Sequence, residues 1–169
     1  MRIFRTLAVT ATAATSILIA APAMADDYYG DANDNTYYGT WYSDTMYGDS
    51  GYDTLYGKHG SDYLYGQWDD DSLYGGKGSD YLDGGYGYDF LYGGTDYARD
   101  SLVGGPDGDS IQPLGSDDVW AGGGSDYIYV SWAYSDMDID CGGGYDTVEF
   151  SGYYPSGVST TGCENVYVV

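Results

Sequence analysis

Aspartate recurs every nine residues, at Asp44, Asp53, Asp62, Asp71, Asp80 and Asp89, with Asn35 filling the preceding place. Two residues after each stands an apolar side chain: Met46, Leu55, Leu64, Leu73, Leu82 and Leu91. Five residues before each stands a glycine, from Gly39 and Gly48 to Gly75 and Gly84, and Gly30 precedes Asn35 in the same way. Three slots that keep one register define a tandem repeat, which restricts the chain to folds that stack like units on one another. Later units are looser. A longer step leads to Asp100 and Leu102, after which the pattern resumes at Asp109 and Ile111, Asp117 and Val119, and Asp126 and Ile128. An isolated copy runs from Gly142 to Val148.

Each slot has a physical meaning. Glycines permit tight, left-handed backbone and expose carbonyl oxygens, and a neighbouring aspartate adds a charged oxygen, so the turn is a site for a hard cation such as Ca²⁺. The apolar slot opens a strand too short to stand alone, and neighbouring coils must stack to bury it. With two repeats per coil, alternate units lie side by side. One turn stack then holds Asp44, Asp62 and Asp80, followed by Asp100, and the opposite stack holds Asp53, Asp71, Asp89 and Asp109. An ion would sit between adjacent turns of one stack.

Charge leads to the same place. All 27 acidic residues follow position 25, and beyond it only Lys58, Lys77 and Arg99 are basic, which leaves residues 26–169 near −24. Nucleic acid is excluded as a partner by that sign. So large an excess expands a chain unless cations neutralise it. All the acids except Glu149 and Glu164 are aspartate, whose short side chain suits turns and oxygen coordination beside the backbone. A disordered acidic tail is the competing reading, and 23 tyrosines with a regular leucine series argue against it. Residues 1–25 place Arg2 and Arg5 ahead of an apolar run and end in Ala23-Met24-Ala25, the pattern of a secretory signal peptide cleaved before Asp26. The apolar run is too short to span a bilayer, so no membrane span is expected.

Gly75-Gly76-Lys77-Gly78-Ser79-Asp80-Tyr81-Leu82 and Gly84-Gly85-Tyr86-Gly87-Tyr88-Asp89-Phe90-Leu91 resemble the RTX, or haemolysin-type, calcium-binding repeat, G-G-x-G-x-D-x-(aliphatic)-x. The resemblance implies an all-β fold, a parallel β-roll (a right-handed β-solenoid), with Ca²⁺ held in the turns. The residues it assigns to metal are Asp44, Asp53, Asp62, Asp71, Asp80, Asp89, Asp109, Asp117 and Asp126, with Gly76, Gly78, Gly85 and Gly87. Departures from the pattern fall at Asp49, Lys58 and Gln67 in the second glycine slot, and at Asp69, Ala98 and Asp107 in the third. Arg99, just before Asp100, would bring a positive charge to its turn, so that turn is expected to be bulged and free of metal. An N-terminal signal and two cysteines set the chain apart from many RTX proteins. It looks like a minimal module exported by the general secretory route.

Residues 26–130 form the expected roll, and 131–169, where the period fades, a C-terminal β cap. Cys141 and Cys163 suit a disulfide in an exported chain and would tether that cap. Tyr38, Tyr47, Tyr56, Tyr65, Tyr74 and Tyr92 follow the apolar slot and point outward. They read either as ordinary strand formers or as an aromatic ladder that contacts a glycan, a surface or a second copy. His59, the one histidine, sits in a repeat turn, which is a poor place for a catalytic base, and no enzyme is expected. Overall the reading is a secreted calcium-binding protein in which Ca²⁺ drives folding of the roll. Its alternative is an extracellular adhesin for which calcium is purely structural.

Overall fold

The computed structural model describes residues 25–134, 136–152 and 156–169. The expected signal segment therefore lies almost wholly outside the described residues. Two parallel sheets take alternate strands from the chain. The first contains β1 (Asp27–Tyr29), β3 (Thr45–Asp49), β5 (Tyr63–Trp68), β7 (Tyr81–Tyr86), β9 (Ser101–Gly105), β11 (Asp118–Gly124), β13 (Asp138–Asp140) and β16 (Ser159–Thr161), in that spatial order. The second runs β2 (Thr36–Tyr38), β4 (Thr54–His59), β6 (Ser72–Lys77), β8 (Phe90–Gly94), β10 (Ser110–Gln112), β12 (Tyr127–Val130), β15 (Thr147–Phe150) and β17 (Asn165–Val168). The short β14 (Gly143–Gly144) pairs with the end of β11. No helix among the described residues is long and apolar enough to cross a membrane.

The alternation of the sequence sets this arrangement directly. Along β4 the central Leu55 is buried while Thr54 and Tyr56 on either side are half-buried, and β6 repeats the pattern around Leu73. Register pairs leucine with leucine from coil to coil: Leu55 opposite Leu73 and Leu73 opposite Leu91 in one sheet, Leu64 opposite Leu82 in the other. Two apolar files thus face each other inside the roll, and every leucine, isoleucine and methionine in them is 0–1% exposed. A parallel β-roll is the observed fold. At the N-terminal end Tyr28 and Tyr37 take the apolar slot, and their rings, 5.6 Å apart, plug the interior.

Beyond Ser131, in the expected cap, the strands continue the two sheets. β13 and β16 extend the first sheet and β15 and β17 the second, all parallel and in register. The period fades because the turns lengthen: Asp118 pairs with Asp138 and Asp138 with Ser159, so these coils, like the one from Tyr81 to Ser101, are longer than the first ones, where Thr45 pairs with Tyr63. The segment closes the roll by continuing it. Cys141 and Cys163 are joined, with Cα atoms 5.2 Å apart, and the bond ties the turn after β13 to the turn after β16.

Closing a loop of 22 residues restricts the unfolded chain by about 3 kcal/mol. In saturating Ca²⁺, the Cys141→Ala/Cys163→Ala variant is expected to lose amide-exchange protection in β13, β16 and β17, while β4 to β8 hold theirs. Protection unchanged at the C-terminal end would show that the bridge does not anchor the last coils.

Candidate metal centre

The repeat aspartates all lie inside the roll at the turn edges, each no more than 3% exposed. Their placement follows from a contact that the nonapeptide pattern did not reveal. In one stack the amide N–H of Asp26 donates to Oδ1 of Asp44 at 2.7 Å, Asp44 to Asp62 at 2.8 Å, and Asp62 to Asp80 at 2.8 Å. The file continues from Asp80 to Asp100 and from Asp100 to Asp117, both at 2.9 Å. In the opposite stack it runs from Asn35 through Asp53, Asp71, Asp89, Asp109 and Asp126 to Asp146, with each link at 2.7 or 2.8 Å. Glu164 ends that file, accepting from the Asp146 amide. One carboxylate oxygen of every rung is therefore committed to the backbone of the coil before it.

The second oxygen is not. Oδ2 of Asp53, Asp62, Asp71, Asp80, Asp89, Asp109, Asp126 and Asp146 is buried with no hydrogen-bond partner. A buried carboxylate oxygen left unpaired costs free energy that native proteins recover by pairing or by metal coordination. The glycine five residues earlier explains how the oxygen fits. A Cβ on Gly75 would lie 2.6 Å from Asp80 Oδ2 and 2.5 Å from the carbonyl oxygen of Gly93, so only glycine leaves room for both oxygens to converge. Gly76, Gly78, Gly85 and Gly87 have φ of 113°, 115°, 99° and 136°. A Cβ on them would run into the carbonyls of Lys58, Gly60, Gln67 and Asp69 on the preceding coil.

The donor set is thus one carboxylate oxygen per turn amid stacked backbone carbonyls, all hard oxygen. Among the described residues no three His, Cys, Asp or Glu side chains gather into a cluster that could hold a metal, so any ion here must draw most of its ligands from the backbone. That chemistry fits Ca²⁺, which accepts six to eight oxygens including carbonyls, and fits zinc poorly.

The turns are not equivalent. Oδ2 of Asp44 accepts from the Thr40 amide at 2.6 Å, and Oδ2 of Asp117 from the Leu114 amide at 2.7 Å. Both are satisfied locally, unlike the other assigned aspartates. Asp100 keeps its rung despite the longer step before it. Arg99 does not enter the turn: its Nε reaches outward to Asp118 at 2.9 Å, and Nη1 lies 3.8 Å from Asp136. Asp146 was missing from the assigned set, although Gly142-Gly143-Gly144-Tyr145-Asp146 carries the motif, because it stands alone in the sequence. In the glycine slots Asp49, Lys58, Gln67 and Asp69 adopt φ of 80°, 75°, 87° and 69°, left-handed values forced on non-glycine residues by the coil.

Burial, opposed only in part by the amide donors, pushes the rung carboxyls far above the usual aspartate range. Asp53, Asp62 and Asp80 rise to about 7, Asp71 and Asp109 to about 8, and Asp89 and Asp126 to about 6. A carboxyl whose pKa is raised by folding binds its proton more tightly in the coil than in the unfolded chain, so metal-free stability is greatest below about pH 4 and falls as pH climbs toward 8. In chelator, the β signal is expected to be larger at pH 5 than at pH 8, with proton release when Ca²⁺ is added near neutrality. A metal-free signal that grows with pH would contradict this.

Asp69-Asp70-Asp71 separates register from charge. Asp71 is 2% exposed and forms a rung, whereas Asp70 is exposed and its Oδ1 accepts from the Tyr88 amide. Asp71→Asn is expected to raise the calcium midpoint of folding clearly more than Asp70→Asn, although each removes one charge. Equal midpoints would mean that bulk charge governs binding.

The family model described as the RTX calcium-binding nonapeptide repeat matches this chain in four copies, over residues 38–73, 65–97 and 114–132. No curated protein and no solved structure matches it. The matched residues include Asp44, Asp53, Asp62, Asp71, Asp80, Asp89, Asp117 and Asp126 of the two files, so the chain bears RTX calcium-binding nonapeptide repeats wound into a parallel β-roll.

Proposed function

We propose that this chain is a secreted calcium-responsive module, whose roll forms when Ca²⁺ occupies the turns between successive coils. The observation that carries the reading is the set of eight buried Oδ2 atoms without partners. Asp53, Asp71, Asp89, Asp109, Asp126 and Asp146 would supply side-chain ligands in one stack, and Asp62 and Asp80 in the other, with Asp44 and Asp117 bound more weakly because their Oδ2 is already engaged. The carbonyls packed against Gly76, Gly78, Gly85 and Gly87 complete the oxygen set. Calcium supplies the positive charge that residues 26–169, near −24, lack. Every other part of the transition belongs to the protein: leucines pack, amides find their carboxylate rungs, and strands pair.

Export is part of the same proposal. Extracellular fluid holds calcium at levels where weak sites fill, and the Cys141–Cys163 bond suits an oxidising compartment. The role is binding and not catalysis: both cysteines are consumed in the disulfide, and His59 stacks on Trp41 at 3.9 Å.

Far-ultraviolet circular dichroism of residues 26–169 tests the proposal. Little order is expected in chelator at pH 8, followed by a cooperative gain of β structure as Ca²⁺ reaches the ~10⁻⁴–10⁻³ M range of extracellular modules. A β spectrum unchanged by exhaustive chelation would overturn it.

A further inference from the structure

The two sheets present different outer faces. On the first, outward positions carry Asp27, Asp83, Asp118, Asp138 and Asp140. On the second, from β2 through β12, the positions flanking the apolar slot carry no charge, and the exposed Lys58 and Lys77 lie past it, where β4 and β6 run into their turns. One row there begins Thr36, Thr54, Ser72 and continues through Phe90 to Ser110, and beside it run Tyr38, Tyr56 and Tyr74. Glu149 is the first charge reached on this face, and the hydroxyls of Tyr127 and Tyr167 hold it at 2.8 and 3.2 Å. Lys58 lies at the rim, with its Nζ 5.1 Å from the Tyr38 ring. In a chain with 27 acidic residues, so long an uncharged face on one sheet is a selective feature.

Its shape and chemistry narrow the partner. Six strands at ~4.8 Å spacing and three residues at ~3.3 Å give a strip of roughly 29 by 10 Å. That is well under the ~800 Å² per partner of a stable protein interface, and it offers few apolar anchors. A second copy would also bring its own charge near −24. Tyr38, Tyr56 and Tyr74 stack face to face at 4.9 and 4.7 Å, so the strip presents ring edges and hydroxyls in regular rows and not open ring faces. The strip's own positions hold no charge to pair with an ionic ligand, and the Lys58 ammonium at its rim rests over the Tyr38 ring.

We propose that the outer face of the second sheet binds a neutral, hydroxyl-rich polysaccharide chain laid along the stacking axis of the roll. This rests on the calcium-folded state described above. The Thr/Ser row and the Tyr row provide two parallel lines of hydroxyls that exchange hydrogen bonds with successive sugar hydroxyls.

Calcium-loaded protein is to be tested for co-sedimentation with microcrystalline cellulose and for retardation by a soluble neutral β-glucan, with polygalacturonate as the anionic comparison and sedimentation velocity reporting self-association. Retention by at least one neutral glucan and none by polygalacturonate is expected. Ser72→Glu, and separately Tyr56→Ser/Tyr74→Ser, should weaken it about tenfold or more, as the loss of one or two hydrogen bonds implies. Tyr47→Ser/Tyr65→Ser on the first sheet should leave it unchanged. The calcium midpoint of folding, read for every variant, separates a lost surface from a lost fold, and Ser72→Glu tests the strip without removing a ring. Absence of retention by both neutral glucans, equal loss from both sheets, preference for polygalacturonate, or a dimer abolished by Ser72→Glu would overturn the proposal.

Discussion

A buried carboxylate with one oxygen bound and one oxygen free is the interaction on which this structure depends. Each rung uses Oδ1 to hold the amide of the preceding coil, which fixes the spacing and phase of the turns. In doing so it draws a charge out of water, at a cost of several kcal/mol for an unpaired ion. Repeated along two files, that cost makes the roll conditional on something that neutralises it. A proton can do so at low pH, and a divalent cation among carbonyls can do so at neutral pH. The same residue therefore builds the coil and, on the function proposed above, makes it responsive to calcium.

The leucine files and the tyrosine rows work on this frame. Each strand is too short to be stable by itself, and burial of its single apolar side chain is realised only when a neighbouring coil is present. Outside, tyrosine rings stack from coil to coil on both sheets: Tyr38, Tyr56 and Tyr74 on the second, and Tyr29, Tyr47 and Tyr65 on the first, at 5.2 and 5.0 Å. Asp83 ends the stacked row, since it pairs with Tyr65 in register, and the Tyr65 ring tilts against Tyr81 instead, 5.7 Å away. A nearest-neighbour architecture of this kind should gain and lose coils cooperatively.

Much of this was legible in the sequence because the repeat carries the fold in three slots. Glycine, aspartate and leucine spacing gave the coil of two nonapeptides, the two turn stacks and the inward side chains. The rung contact was not legible, because it joins atoms one coil apart and looks like any other aspartate in a turn. Nor were the exceptions at Asp44 and Asp117, which depend on the Thr40 and Leu114 amides happening to lie within reach. The C-terminal coils were hidden for another reason. There Met137 and Val158 stand at the places next to β13 and β16 where aspartate stands earlier, and the turns lengthen, so that pairing geometry persists after the sequence signal has faded. For Arg99 the charge was legible and the direction, outward to Asp118, was not.

The central claim is that the free Oδ2 atoms are the calcium ligands, and its most direct test is a crystal structure of the calcium-soaked protein with anomalous scattering recorded at long wavelength. The account predicts calcium peaks in two rows between coils, at ~2.3–2.6 Å from Oδ2 of Asp53, Asp71, Asp89, Asp62 and Asp80. Anomalous peaks confined to exposed carboxylates such as Asp69 and Asp70, with the buried files bare, would contradict it.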